Sequence, residues 1–145
     1  MRQFTPPDPE FADRVRSSFA LQQLMKTLNA KLISVAPGEV QIEIPFQHEL
    51  TQQNGFIHAG IITSIVDSAC GYAAYSLMER ASGVLTVEYK VNLLSPAVGD
   101  RFVAIGRVKK AGRTLTVCDG DVFAHKGGEQ KLVATMMATM MRLSQ

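Results

Sequence analysis

One carboxylate interrupts the most apolar stretch of the sequence. From Phe56 to Met78 the chain reads FIHAGIITSIVDSACGYAAYSLM, and its only acidic side chain is Asp67, nine residues after His58. Burying an ionised carboxylate without a partner costs several kcal/mol. An acid at this position therefore has either a structural role, held by backbone amides, or a chemical one. A carboxylate in an apolar setting can attack a carbonyl carbon or take a proton from water.

The residues at the start of this stretch offer a second kind of chemistry. His58, Ala59 and Gly60 stand where a helix is predicted to begin, after the turn signal Asn54-Gly55. Backbone N–H groups in a first helical turn lack intrahelical acceptors and lie at the positive end of the helix dipole. We expect the N–H groups of Ala59 and Gly60 to be unpaired and able to stabilise a developing negative charge. His58 is either a cap or packing residue, or a direct contact to a substrate.

Periodicity predicts the elements that position these groups. A helix is predicted over about residues 9–28, since Pro9 suits a first helical turn, and a second, central helix over about 58–78. The segment KLISVAPGEVQIEIPF alternates apolar and polar residues around Pro37-Gly38, which predicts a hairpin or a bent strand.

Four strand-like segments follow Ser82-Gly83. Because short turn signals separate them, we expect consecutive strands to be antiparallel neighbours. The central helix has almost no polar face and must be surrounded by protein. The sequence thus predicts an α+β fold, with a long antiparallel sheet wrapped around a central helix.

Composition limits the classes of function. The chain has 145 residues, of which 46% are hydrophobic, and this length and composition predict one domain over residues 1–145. Its net charge of +2 gives no reason to expect nucleic acid or membrane as a partner. Cys70 and Cys118 lack the spacing of a metal site or a disulfide framework, so we expect neither metal nor another cofactor. The N-terminus has no signal-peptide pattern, and a reducing, cytoplasmic setting fits best.

The same residues resemble a known family, the hotdog-fold acyl-CoA thioesterases of the PaaI-like (phenylacetyl-CoA thioesterase) type. The resemblance extends over about Leu32 to Leu143, and its motif is Gln52, His58-Ala59-Gly60, Asp67, and a strand that carries Thr86 and ends in Ser95-Pro96.

This resemblance implies a role for each motif residue. Asp67 would be the nucleophile or general base, and the Ala59 N–H would polarise the thioester carbonyl. Gln52 and Thr86 would help to hold the attacking water. The family motif most often reads His-Gly-Gly, and His-Ala-Gly keeps the backbone donor.

Further substrate contacts are predicted around this motif and at one basic turn. Gly60, Asn54 and Ser68 adjoin the motif residues. The turn formed by Lys109, Lys110 and Arg113 is either solvated hairpin charge or a binding site for the phosphates of coenzyme A.

The spacing of the two main groups also predicts the assembly. On a continuous helix, nine residues rise by about 13 to 14 Å and place Asp67 on roughly the opposite face from His58. If Asp67 and the Ala59 N–H act on one carbonyl, they come from different subunits of a homodimer, which would carry two equivalent sites. A dimer and a dimer of dimers are both compatible with this argument.

Two other functions remain open at this stage. A hotdog dehydratase or enoyl-CoA hydratase would need a catalytic histidine working with an acid, and His48 and His125 lie in predicted turns away from the motif. A non-catalytic acyl-CoA-binding or sensor protein would keep the substrate tunnel but would not need Asp67.

Overall fold

The structure is a computed structural model that describes residues 3–144. Its helices are α1 (Phe11–Leu21), α2 (Gln23–Thr27) and α3 (Ala59–Tyr75). Its strands are β1 (Lys31–Ala36), β2 (Glu39–Pro45), β3 (Ser82–Leu93), β4 (Arg101–Ala111), β5 (Leu115–Lys126) and β6 (Glu129–Ser144). The strands form one antiparallel sheet in the order β1-β2-β4-β5-β6-β3. The central helix α3 packs across β2, β3, β4, β5 and β6, so the predicted α+β hotdog architecture is confirmed.

Two glycines allow α3 to lie unusually close to the sheet. Gly106 of β4 and Gly120 of β5 are direct cross-strand partners. A Cβ atom at Gly106 would lie 2.3 Å from the backbone of Ala69, and one at Gly120 would lie 2.5 Å from the Val66 side chain. Only residues without a side chain fit at these positions, and the close contact fixes the middle of α3 against the sheet.

The N-terminal helical segment differs from the single helix predicted over about 9–28. The chain breaks between α1 and α2 at Gln22, where ψ is 108° and the backbone is extended. This turn directs the Gln22 side chain toward α3, where its amide nitrogen donates to the Tyr72 hydroxyl and its Oε1 accepts from Ser68. Tertiary hydrogen bonds thus offset the loss of helix continuity.

The central helix also ends slightly before the predicted residue 78. Beyond Tyr75 the backbone tightens, because Leu77 and Met78 donate to carbonyls three residues earlier instead of four. The Ser76 hydroxyl accepts from the Gly38 N–H at 2.8 Å, which ties the end of α3 to the β1–β2 turn.

The expectation that all consecutive strands are neighbours is wrong for β3 and β4. The hairpins β1–β2, β4–β5 and β5–β6 form as predicted, but β3 pairs with β6. The residues between β3 and β4 are a crossover instead of a tight turn. They pass beside the loop before α3, where Ile57 donates to the carbonyl of Ala97. Ser95-Pro96 and Gly99-Asp100, two of the turn signals between the strand-like segments, therefore mark bends within a longer connection.

This topology leaves β3 at one edge of the sheet. Among the described residues, β3 has one strand neighbour, β6, and its other edge is open. Several large apolar side chains of β3 are exposed, including Leu85 at 52% and Leu93 at 54% of full accessibility. An open edge with exposed apolar side chains is a surface on which a second chain can dock.

Candidate active site

Asp67 lies on the side of α3 that adjoins the edge strand β3. It is half-buried. Its Oδ1 accepts a hydrogen bond of 2.7 Å from the Thr86 hydroxyl on β3. Within residues 3–144, Oδ2 has no hydrogen-bond partner. One oxygen of the carboxylate is thus held in place, while the other is available for chemistry.

The surroundings of Asp67 change its acidity in two opposing ways. Partial burial disfavours the ionised carboxylate and raises its pKa, whereas the Thr86 hydrogen bond favours that form and lowers the pKa. Burial has the larger effect, and the pKa of Asp67 is raised overall. A carboxylate with a raised pKa is a stronger base and nucleophile than an exposed one.

Asp67 borders a cleft of about 380 Å³, named here the Asp67 cleft. Its lining residues come from α1, the α1–α2 break, α3 and β3: Ser18, Leu21, Gln22, Asp67, Ser68, Gly71, Tyr72, Val84 and Thr86. Of the predicted contacts, Ser68 and Thr86 lie here. Gln22 and Gly71 were not predicted as site residues, because neither is part of a local motif. Only the packing of the N-terminal helices against α3 brings Gln22 to the cleft.

The start of α3 shows which backbone donors are available. His58 is the N-cap residue, and its Nδ1 accepts a hydrogen bond of 2.8 Å from the Gly60 N–H. The expectation that the Gly60 N–H is unpaired is therefore wrong, since the histidine ring caps it. No acceptor within residues 3–144 pairs with the Ala59 N–H. His58 acts as a cap, and the Ala59 N–H remains free at the positive end of the helix.

A second cleft, of about 450 Å³, opens at this helix start and is named here the His58 cleft. His58, Ala59 and Gln52 line it with apolar residues from the loop before α3 and from the end of β3. The Gln52 Oε1 accepts hydrogen bonds from the backbone N–H groups of Asn54 and Phe56, which stabilises the loop. The Gln52 amide nitrogen makes no hydrogen bond within the described chain and is a second available donor.

The two clefts are separate within one chain. They have no lining residue in common. Asp67 follows Ala59 by eight residues on the continuous helix α3, which corresponds to about 12 Å of helical rise. A single protomer therefore does not bring Asp67 and the Ala59 N–H to one carbonyl group.

Of the other predicted contacts, the basic turn and Asn54 line neither cleft. Lys109 forms an ion pair of 3.1 Å with Asp119, and Lys110 is exposed. Arg113 lines a different depression near the end of α3. Asn54 is exposed in the loop before α3.

The two cysteines do not add a nucleophile to the site. Cys70 and Cys118 are buried free thiols. Burial raises the pKa of both, that of Cys118 to about 12, so neither is a thiolate nucleophile. Within residues 3–144, no cluster of three or more His, Cys, Asp or Glu side chains is arranged to hold a metal ion. In the same range, no helix is long and apolar enough to cross a membrane.

An antiparallel sheet packed on one long helix is the architecture of hotdog thioesterases. The family model of the thioesterase superfamily matches residues 54–131. The chain belongs to the thioesterase superfamily and is a thioesterase.

Individual proteins support the same assignment. Over 104 residues the chain is 33% identical to acyl-coenzyme A thioesterase 13 of Homo sapiens, which covers 71% of this chain and 72% of the relative. The crystal structure of a thioesterase family protein from Silicibacter pomeroyi is 51% identical, with a TM-score of 0.92 over 93% of this chain and 99% of that chain. The PaaI protein from the phenylacetic acid degradation operon of E. coli shares the fold, at 20% identity and a TM-score of 0.84 over 93% of this chain and 94% of that one.

Proposed function

We propose that this protein hydrolyses acyl-CoA thioesters to a free acid and coenzyme A. The observation that carries the proposal is the Asp67 carboxylate, which faces a cleft with Oδ1 bonded to Thr86 and Oδ2 free. The similarity to a relative named acyl-coenzyme A thioesterase supports coenzyme A as the thiol component.

In the proposed mechanism, the Ala59 N–H donates a hydrogen bond to the thioester carbonyl oxygen. Negative charge develops on this oxygen during attack, and a fixed donor at a helix N-terminus stabilises it. His58 is a positioning residue, because its cap on Gly60 fixes the first turn of α3. The Gln52 amide nitrogen would hydrogen-bond the same oxygen or the attacking water.

Asp67 supplies the attacking group by one of two routes. As a general base, Oδ2 takes a proton from water, the hydroxide adds to the carbonyl carbon, and the C–S bond breaks to release the thiolate of coenzyme A. As a nucleophile, Oδ2 forms an acyl-enzyme anhydride with loss of the same thiolate, and water then hydrolyses it. In both routes Thr86 holds the carboxylate in position.

The proposed active unit is a homodimer in which each site uses the Asp67 cleft of one subunit and the His58 cleft of its partner. Separation of the two clefts within one chain supports this arrangement. The open edge of β3, with Leu85 and Leu93 exposed, supports a large contact with a second copy. Pairing into a dimer of dimers is compatible with the same site.

The basic turn at Lys110 and Arg113 would contact coenzyme A only where the assembly brings it near a site. Cys70 and Cys118 are unbridged, and we propose a reducing, cytoplasmic location.

The alternatives fit the site less well. A dehydratase or hydratase would need a free catalytic histidine, and the His58 Nδ1 is engaged by Gly60. A sensor would not need a carboxylate with a free oxygen in its cleft.

The proposal is tested by measuring thiol release from acetyl-, octanoyl-, palmitoyl-, phenylacetyl- and hydroxybenzoyl-CoA with wild type and Asp67→Asn. We expect the wild type to hydrolyse at least one of them and Asp67→Asn, as a folded protein of the same oligomeric state, to lose activity by about 10² to 10⁴-fold. Tight binding of acyl-CoA by the wild type without turnover of any ester would overturn the proposal in favour of a sensor.

A further inference from the structure

We propose that Gly71 determines which acyl groups are accepted. The acyl group would extend from the reacting carbon at Asp67 along α3, over Gly71 and beside Gln22. The accepted class is then acyl groups long enough to reach Gly71, in preference to acetyl. The inference rests on the proposed function, and it adds the location and size of the acyl subsite.

The position of Gly71 on α3 is the first step. Gly71 follows Asp67 by four residues, so it lies on the same helix face, about 6 Å further along the axis. Both residues line the Asp67 cleft. A Cβ atom built at Gly71 meets no atom outside its own stretch of helix within 4 Å, so open space lies directly above this backbone.

The absence of a side chain at Gly71 is not required by the fold. Gly106 and Gly120 are glycines because a Cβ atom there would collide with α3. Gly71 has no such constraint, and glycine within a helix costs about 1 kcal/mol relative to alanine. Substrate in the open space beside Gly71 would explain why a destabilising glycine stands at this position of the helix.

One side of the cleft is a wall fixed by hydrogen bonds. The Gln22 amide nitrogen donates to the Tyr72 hydroxyl at 3.2 Å, and the Ser68 hydroxyl donates to the Gln22 Oε1 at 3.2 Å. The Ser18 hydroxyl is bonded to the same Tyr72 hydroxyl at 3.4 Å. These bonds join α1 to α3. An acyl group that extends from Asp67 over Gly71 would run along this wall, whereas the single methyl group of an acetyl ester is too short to cover the rise of about 6 Å to Gly71.

The pantetheine arm of coenzyme A is another candidate for the space over Gly71, which is open within one chain. The two occupants make opposite predictions. Pantetheine is common to all acyl-CoA substrates, so narrowing its path would reduce the activity on every substrate by a similar factor. Narrowing the acyl subsite would instead change the ratio between long and short substrates.

The test compares kcat/KM for octanoyl-CoA and acetyl-CoA in wild type, Gly71→Ala and Gly71→Leu. A Cβ atom on a helix points toward the N-terminus, so each new side chain would project back toward Asp67. One added carbon in a well-fitted pocket changes selectivity by about 10 to 200-fold. We expect the octanoyl-to-acetyl ratio to fall about tenfold in Gly71→Ala and further in Gly71→Leu. Ala20→Leu, which adds bulk at an exposed position of α1 outside both clefts, is the matched control and should keep the wild-type ratio.

The outcomes separate this inference from the proposed function. An unchanged ratio in Gly71→Leu, with the wild type active, would overturn the acyl subsite and leave the thioesterase proposal intact. If the wild type hydrolyses neither ester, the proposed function fails for these substrates. Calorimetric binding of a non-hydrolysable octanoyl-CoA thioether and of coenzyme A then decides the inference. Weaker binding of the thioether alone in Gly71→Leu would support it, and equal binding of the thioether by wild type and variant would overturn it.

Discussion

Replacement of Ala59 by proline would delete one backbone N–H group with little other change. Ala59 is the first residue of α3, and its N–H has no acceptor within residues 3–144. Proline is favoured at the first helical position, because the missing N–H is not needed there. The preceding residue, His58, has φ −58° and ψ 137°, an extended conformation that a following proline allows. We therefore expect the free energy of unfolding of Ala59→Pro to stay within about 1 kcal/mol of the wild-type value.

The effect on catalysis should be much larger. Loss of one donor to a developing oxyanion typically lowers kcat by about 10² to 10³-fold, or about 2.7 to 4 kcal/mol. The assay is thiol release at saturating substrate, combined with urea unfolding and a measurement of oligomeric state. Ala59→Gly keeps the N–H and serves as the control, which should remain far more active than Ala59→Pro. A folded Ala59→Pro protein with wild-type kcat would refute the assignment of this N–H as the oxyanion donor.

Three further predictions concern the hydrogen bond to the Asp67 carboxylate, the burial of that carboxylate, and the packing of α3 on the sheet. Thr86→Ala removes the hydrogen bond that lowers the Asp67 pKa, so the acidic limb of the kcat–pH profile should move to higher pH. Thr86→Ser keeps a hydroxyl and should leave the acidic limb in its wild-type position. An acidic limb that moves to lower pH in Thr86→Ala would contradict this assignment of the hydrogen bond. Burial raises the folded-state pKa of Asp67, so the contribution of this group to stability is fully present below the unfolded-state pKa of about 3.9 and is lost as pH rises through the raised pKa. Asp67→Asn should thus gain stability relative to wild type in urea unfolding as pH rises from about 4 through the raised pKa, and a relative loss over this rise would count against partial burial. Gly106→Ala should destabilise the fold by at least about 1 to 3 kcal/mol in thermal unfolding, because its Cβ atom would lie 2.3 Å from the Ala69 backbone. The control is Gly71→Ala, whose Cβ atom meets no such atom and which should be at least as stable as wild type.

The sequence predicts the groups of the candidate site better than it predicts their surroundings. Asp67 and the start of α3 are identifiable because an acid in an apolar helix and unpaired donors at a helix N-terminus are local features. The hairpin of β1 and β2 is likewise local, since the Pro37-Gly38 turn and the alternation of apolar residues lie within one segment.

The features that the sequence analysis missed depend on contacts between distant segments. Gln22 interrupts a helix to reach Tyr72 and Ser68, 50 and 46 residues away. The pairing of β3 with β6 is equally non-local, because turn signals show that the chain bends but not which strand it joins. The cap of His58 on Gly60 needs the rotamer of the histidine ring, and residue spacing alone left both roles of His58 open.

A mixing experiment with two inactive variants tests the shared site most directly. Ala59→Pro retains Asp67, and Asp67→Asn retains the Ala59 N–H. If each site combines these groups from two subunits, a mixed dimer contains one complete site and one doubly defective site. Random exchange of equal amounts makes about half of the dimers mixed, so the account predicts recovery of about a quarter of wild-type activity. Subunit exchange demonstrated by mass spectrometry, with no activity above that of the separate variants, would contradict a site shared between subunits.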